Sequence, residues 1–484
     1  MSVKSLATKG LVWNAIERFS SQGIQFILTI IIARILSPDD YGLVAMLGIF
    51  MAITQTIVDS GFSNALIQKR NRTEVDYSTM FYFNIVVSIF MYGLLFVSAP
   101  WIARFYNRSE LINLVRILGL VLITNSLGVV QMTRLTISLD FKKLAIASLI
   151  GVIIGGSLGI WMAYHGYGAW TLVFQLLSGN LFWGMTLWLF TRWVPKRIFS
   201  WSSFRELFSF GSKLLFSSLL HSLYTHMYSL VVGKAFNAST LGYFNRSYTL
   251  GQFPVQNFSN IVHKVLYPIQ CRYQDEREKF NYLFISCLRI SGFVMFPLMI
   301  GFSVLAEPVI LLLLKEKWLP AVSLFRIICL SMMWLPMLQA NVSVLDAKGR
   351  SDHHLQAEFI KKILAIIILL FTLQFNIEIV CWGMLVYSLV DLSVIVAYSR
   401  RLTSVGYKEQ IEILSPSLIL ALIMGGFVYG ITFNIDSAAC KLLVGVGVGM
   451  VFYILSAHFL KLQELKLLIS FLKGIGMKDT DSST

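Results

Sequence analysis

Apolar residues form long runs along almost the whole chain, separated by short polar segments. A helix needs roughly 20 mostly apolar residues to cross a bilayer, and these runs reach that length. They predict about fourteen transmembrane helices, with no loop long enough to form a separate domain. We place the helices near residues 11–36, 40–66, 77–103, 111–137, 143–164, 167–191, 206–233, 244–268, 280–313, 321–346, 354–374, 377–399, 412–433 and 438–460.

Composition and charge agree with a membrane protein. The 484 residues are 56% hydrophobic and 13% charged, whereas a soluble protein carries about 25% charged residues. The net charge is +15, and the basic residues lie in alternate loops: 24 in the segments predicted to be cytoplasmic and 7 in the others. This asymmetry predicts that both termini are cytoplasmic. Membrane orientation thus accounts for the charge, and we expect no nucleic acid partner.

The two halves of the chain contain a weak internal repeat. Three short matches occur in the same order: 34–42 with 234–242, 99–102 with 307–310, and 114–117 with 324–327. Six predicted spans separate the copies, so both have the same orientation, and transporters of this plan bind cargo between their halves. The repeat predicts an all-α integral membrane fold with two pseudo-symmetric six-helix lobes and two C-terminal helices. The predicted limits are 1–200 and 201–405 for the lobes, 406–462 for the additional helices, and 463–484 for a cytoplasmic tail.

Polar side chains recur at helical spacing within four of the predicted spans. Because charged groups are costly in lipid, such residues face a cavity or a partner. We predict a water-filled, net basic central cavity; packing against neighbouring helices is the alternative for the first span, and placement of Arg134 at the cytoplasmic surface is the alternative for that residue. The predicted lining residues are Asn14, Glu17, Arg18, Gln22, Gln25, Gln55, Arg134, Lys213, His221, Thr225, Arg246, Gln252, Gln256, His263, Lys264 and Arg289.

Two acidic residues within the spans have separate interpretations. Asp59 follows Gln55 by four residues and is a candidate ion-coupling site, with a helix-end ion pair to a basic residue as the alternative. Asp391 is isolated in its span, which favours a role as a packing partner. The basic side chains of the cavity suit an anionic cargo such as a diphosphate. The amides and hydroxyls between them suit sugar hydroxyl groups.

The sequence contains no motif that indicates an enzyme. There is no GxxxxGK[ST] or HExxH segment. The five cysteines are scattered without metal-ligand spacing. We therefore predict no catalytic residue, no cofactor and no metal site, and we expect a monomer surrounded by membrane lipids.

Several motifs resemble a known family of exporters. They are ARILSPDDYGL at 33–43, DSGFSNALIQ at 59–68, APWIARFY at 99–106, VLYP at 265–268 and KEKW at 315–318. The chain resembles the Wzx-type polysaccharide flippases, of the colanic acid exporter and teichuronic acid transporter group, in the MOP superfamily. The resemblance implies an undecaprenyl-diphosphate-linked oligosaccharide as cargo, alternating access in the bacterial inner membrane, and a role in surface polysaccharide synthesis. A polysaccharide polymerase and a chain-length regulator are the protein partners that such a pathway offers.

Two alternative functions are weighed against this one. Another MOP transporter would carry lipid II or exchange drugs for cations, and the basic stripes argue against a cationic cargo. A membrane glycosyltransferase or polymerase would need a sizeable extramembrane loop for its catalytic residues, and the predicted loops are short.

Overall fold

The computed structural model describes residues 20–472, and all regular structure in this range is helical. The first nine helices are α1 Ser20–Ile35, α2 Pro38–Asp59, α3 Phe62–Gln68, α4 Glu74–Tyr106, α5 Leu111–Leu118, α6 Leu120–Ile137, α7 Phe141–Tyr164, α8 Trp170–Thr191 and α9 Trp201–Ala235. The others are α10 Ala238–Arg272, α11 Arg277–Val304, α12 Ala306–Leu314, α13 Ala321–Met332, α14 Leu335–Ala347, α15 Ser351–Thr372, α16 Ile377–Ser399, α17 Tyr407–Thr432, α18 Ala438–Phe459 and α19 Gln463–Leu472, with a 3₁₀ turn at Glu316–Trp318.

Ten helical segments of this described range are long and apolar enough to cross a membrane. The prediction of an all-helical, multi-pass membrane protein is therefore confirmed. The remaining predicted spans coincide with α1, whose described part is short, and with α9, α10 and α15, which are less apolar. The number fourteen stays a prediction. Helix α19 was not predicted, because it is short and amphipathic.

The described helices form two compact units, one ending at Gly242 and the other beginning at Tyr243. In the first unit α7 and α8 are in close backbone contact: a Cβ on Gly155 would lie 2.6 Å from the carbonyl oxygen of Gln175. In lipid the hydrophobic effect does not drive helices together, so association depends on close packing, which small residues permit. In the second unit α11 is the most deeply packed spanning segment, and it contacts α13, α14 and α17. The predicted lobe limits stay predictions.

Several predicted spans are interrupted rather than continuous. The span at 40–66 breaks at Ser60 and Gly61, whose φ angles are 44° and 70°. A Cβ on Gly61 would lie 2.7 Å from the carbonyl oxygen of Gly211 in α9. Glycine is therefore required both by the left-handed backbone and by the close approach of α9.

The first turns of α2 and α10, which the sequence repeat relates, cross within the first unit. A Cβ on Gly42 would lie 1.7 Å from the carbonyl oxygen of Ala238, and one on Gly242 would lie 2.0 Å from that of Pro38. In the sequence repeat, position 238 is equivalent to position 38 and position 242 to position 42. The two contacts, Gly42 with Ala238 and Gly242 with Pro38, are therefore equivalent to each other. The two backbones can meet only because both positions lack a side chain.

Polar contacts reinforce this crossing. The hydroxyl of Ser239 donates to Asp39 Oδ1 at 3.1 Å, and Arg108 Nη2 donates to the same oxygen at 3.0 Å. Ser37 caps α2 in a capping box with Asp40, which satisfies backbone donors at the helix start. The Ser-Pro-Asp-Asp motif therefore has a structural role at the start of α2.

Lys69 joins three helices at the end of α3. Its Nζ donates to Asp76 at 2.9 Å and to Glu206 at 2.8 Å, which lie in α4 and α9. Burial alone would lower the pKa of Lys69, but the hydrogen bonds to Glu206 and Asp76 outweigh it and raise the pKa.

A buried ionic cluster links α15 to α16. Lys361 is 2% exposed and lies 2.9 Å from Asp391 and 2.5 Å from Glu358. The prediction that Asp391 is a packing partner is therefore confirmed. The cluster also accounts for the lower hydropathy of α15, because its charges are neutralised within the unit instead of facing lipid.

Candidate functional site

Some of the predicted cavity residues lie outside the part of the chain that the structure describes. These are Asn14, Glu17 and Arg18, and the side chain of Lys213. Gln22 and Gln25 of the same stripe are described, and both are half-buried on α1. The basic part of the first stripe therefore stays a prediction.

Helix α9 has two exposed faces of opposite character. Phe216, Leu220 and Leu223 are exposed on one side. His221 and Thr225 are exposed on roughly the opposite side, at 100° per residue. The apolar face suits lipid. The polar face does not, because intramembrane polar groups require water or a partner.

One polar contact joins α9 to α2, and a second lies within α2. Thr56 and Ser222 hydroxyls lie 3.0 Å apart, and the amide of Gln55 donates to Asp59 Oδ1 at 2.9 Å. No basic side chain that the structure describes forms an ion pair with Asp59. Asp59 is the last residue of α2 and is exposed. The hydrogen-bond partner of its carboxylate is the neutral amide of Gln55.

Helix α10 exposes a second polar face. Gln256, His263 and Lys264 are exposed, and the ring of His263 stacks on Tyr267 with centroids 4.9 Å apart. Gln252 is half-buried. This face can bind an anion through Lys264 and His263 and can offer hydrogen bonds from amides along its length.

Other positions of α10 are packed in the second unit. The hydroxyl of Ser247 donates to the carbonyl oxygen of Ala321 at 3.1 Å, and Arg246 is only 6% exposed. Gln270 accepts a hydrogen bond from Ser343 at 3.0 Å. Because Arg246 is buried, we do not count it among the exposed polar residues of α10, although it lies on the same side of the helix as Lys264 at about 100° per residue.

Arg134 and Arg289 each contact an acidic residue of their own unit. Arg134 donates to Glu74 at 3.1 Å, consistent with the surface alternative for this residue. Arg289 hydrogen-bonds Gln463 and lies 3.9 Å from Glu464, both in α19. We therefore leave both arginines out of the binding face proposed below.

A cavity of about 340 Å³ lies in the first unit among α1, α6, α7 and α8. Gln25 was predicted from the sequence, but Asn125, Gln175 and Asn180 were not. Each is an amide within an otherwise apolar span, and that is the signal that could have identified it. Among the described residues, no group of three or more His, Cys, Asp or Glu side chains could hold a metal ion.

Comparison with known proteins gives one family and one fold. A family model described as polysaccharide biosynthesis protein matches residues 31–323. The teichuronic acid biosynthesis protein TuaB of Bacillus subtilis (strain 168) is 27% identical over 466 residues, covering 94% of this chain and 95% of that protein. The lipopolysaccharide biosynthesis protein WzxC of Escherichia coli (strain K12) is 24% identical over 354 residues, covering 73% and 72%. The solved structure of the lipid II flippase MurJ in an inward closed conformation aligns with a TM-score of 0.74 at 15% identity, covering 93% of this chain and 99% of that one. At this identity the likeness shows the fold alone.

Proposed function

Because this chain belongs to the polysaccharide biosynthesis protein family, we propose that it flips an undecaprenyl-diphosphate-linked oligosaccharide across the bacterial inner membrane. It is a multi-pass polysaccharide biosynthesis transporter of the Wzx-like flippase family, and the prediction that it is not an enzyme is confirmed. The glycosyltransferase alternative is therefore set aside.

The exposed polar face of α9 supports this proposal most directly. A helix that exposes Leu220 on one side and His221 and Thr225 on the other borders lipid and water at once. A flippase needs this arrangement, because the cargo's head group must cross in a polar environment while its lipid tail stays in the bilayer. A structural helix would gain nothing from the second face.

The exposed face of α10 provides the charge. Lys264 and His263 lie near the end of the span that the charge asymmetry predicts to be cytoplasmic. We assign the cargo diphosphate to these two side chains, since an ammonium group and an imidazole N–H both donate hydrogen bonds to phosphate oxygens. Gln256 and Gln252 follow about two and three turns closer to the outer surface and would contact sugars as the head group moves by alternating access.

The proposal includes the finer architecture predicted from the sequence. It has fourteen spans with cytoplasmic termini, in two six-helix lobes plus two helices, and acts as a monomer. Asp59 is the proposed ion-coupling residue, since its exposed carboxylate contacts an amide and no described basic group. A polymerase and a chain-length regulator would act on the exported cargo.

The test is a flipping assay in vesicles with a fluorescent lipid diphosphate bearing an oligosaccharide. Lys264→Ala should lower the initial rate by about ten- to a hundredfold, the value of one charge-assisted hydrogen bond, and Lys264→Arg should retain most activity. Lys408→Ala removes an exposed lysine of α17 whose acidic partner lies 3.9 Å away, and should have no effect. A wild-type protein that moves none of a panel of lipid-diphosphate saccharides faster than empty vesicles refutes the proposal. Transport of lipid II alone would favour that alternative.

A further inference from the structure

The cavity of about 340 Å³ in the first unit is a second polar site, separate from the exposed faces of α9 and α10. It is bordered by α1, α6, α7 and α8, and its volume is at the small end of the range for small-molecule sites, about 300–1,000 Å³. Glycines of α7 and α8, including Gly151 and Gly179, form part of the lining. Their missing side chains bring the two helices together and leave room beside them.

The cavity lies near the centres of three candidate membrane spans. Asn125 is near the centre of the spanning segment Leu111–Ile137, and Asn180 is near the centre of Trp170–Thr191. Gly151 is near the centre of Phe141–Tyr164. Three segments therefore place the cavity at the same depth, where transporters commonly bind their cargo.

The lining contains polar groups that have no hydrogen-bond partner among the residues that the structure describes. Gln25, Asn125 and Gln175 make no side-chain hydrogen bond to any residue in the described range 20–472. The Ser148 hydroxyl makes none there either. Three free amides and a hydroxyl at mid-membrane depth would be costly without water or a ligand, since an unsatisfied polar group in an apolar medium costs several kcal/mol.

The chemistry of the lining defines the ligand. None of the described lining residues is charged, so the cavity offers nothing to neutralise a diphosphate. Each amide both donates and accepts hydrogen bonds, as does each sugar hydroxyl. Trp183 adds an aromatic surface, with its ring packed against Gly128. A ligand that is neutral, rich in hydroxyl groups and apolar on the faces of its ring satisfies all three features.

We propose that the cavity among Gln25, Asn125, Gln175 and Trp183 binds an uncharged sugar residue of the cargo. This rests on the proposed function, and it divides recognition between two places: the diphosphate is bound at α10 and a sugar is bound inside the first unit. The cavity then contributes to selection among saccharides, while Lys264 and His263 recognise what all lipid diphosphates share.

The test measures sugar binding without transport. Ser148→Cys places a thiol in the cavity, in a background where Cys271 and Cys440, the two native cysteines that are not buried, are replaced by serine. Methyl glycosides of neutral hexoses and N-acetylhexosamines are the probes, and the readout is the rate of labelling by a maleimide. At least one neutral glycoside should slow labelling, whereas inorganic diphosphate should not, and a methyl hexuronate should protect less than its neutral counterpart.

Variants connect this protection to the amides. Gln175→Leu should weaken protection about five- to tenfold, the value of one lost hydrogen bond, and Asn125→Leu is the second variant if the first does not fold. Gln374→Leu makes the same change at an exposed position outside the cavity and should leave protection unchanged. Absence of protection by every neutral glycoside, protection by diphosphate, or full protection in both leucine variants overturns the proposal. Protection of Ser148→Cys in a protein that flips no lipid-diphosphate saccharide would refute the proposed function and leave this site standing.

Discussion

The crossing of α2 and α10 at Gly42 and Gly242 makes a sharp prediction about two methyl groups. In Gly42→Ala the new carbon would lie 1.7 Å from the carbonyl oxygen of Ala238. Real contacts of this kind are not shorter than about 3.0 Å, so the two backbones must separate by roughly 1.3 Å. Because the obstacle is a backbone oxygen, no side-chain rotation can relieve the clash.

The magnitude follows from two opposing effects. Overpacking costs about 1–3 kcal/mol, while replacing a helical glycine by alanine gains about 1 kcal/mol. Gly93→Ala in α4 is the matched control, because a Cβ there meets nothing within 4 Å. We expect Gly42→Ala to be about 1–3 kcal/mol less stable than Gly93→Ala, because the intrinsic helix preference is the same in both variants and only the overpacking cost remains.

The assay is equilibrium unfolding in detergent micelles, followed by a labelling experiment. In a Ser239→Cys protein the thiol replaces the hydroxyl that hydrogen-bonds Asp39. Adding Gly42→Ala should speed its reaction with a maleimide, because separation of the backbones uncovers residue 239. Gly242→Ala should act in the same way, since it meets Pro38 at 2.0 Å.

One result would refute this reasoning. If Gly42→Ala unfolds at the same denaturant concentration as Gly93→Ala, and the label reacts at an unchanged rate, then the two helix starts do not make the contact described. If Gly42→Ala lowers stability but the thiol at position 239 does not react faster, the strain lies at a site other than the crossing of α2 and α10.

Three further predictions concern charged groups. Lys361→Met should lower the free energy of unfolding by about 3–5 kcal/mol, because Asp391, whose side chain is only 14% exposed, is left without its partner; Lys361→Met/Asp391→Leu should recover most of that loss in the same unfolding assay. The contribution of Lys69, whose pKa is raised, is fully present below its ordinary value of 10.5 and is lost as the pH rises through the raised pKa. The unfolding difference between wild type and Lys69→Met should therefore be constant from pH 7 to about pH 10 and shrink above it, and a difference that grows there would contradict the assignment. Asp59→Asn should abolish the acceleration of flipping by an imposed ion gradient while leaving gradient-independent flipping intact, and a response like that of wild type would exclude Asp59 as the coupling group.

Local sequence pattern carried most of the information about the helices. Each predicted span coincides with one or two helices, because hydropathy and chain length are properties of a continuous segment. The weak hydropathy of α9 and α10 correctly indicated polar faces, and the isolated Asp391 correctly indicated a packing partner. The repeat of 34–42 at 234–242 marked the two helix starts that cross, although it did not show that they touch.

Only the tertiary structure decided which polar groups have partners. Arg134 and Arg289 looked like cavity residues, yet their acidic partners are 60 and 175 positions away along the chain. Gln25, Asn125 and Gln175 belong to three helices, and only Gln25 lies on a polar stripe that the sequence indicated. Periodicity reports which face of a helix a residue occupies, whereas its neighbours depend on how helices pack. For that reason the sequence predicted a polar transporter interior, and the packing of α1, α6, α7 and α8 determined where an uncharged cavity lies within it.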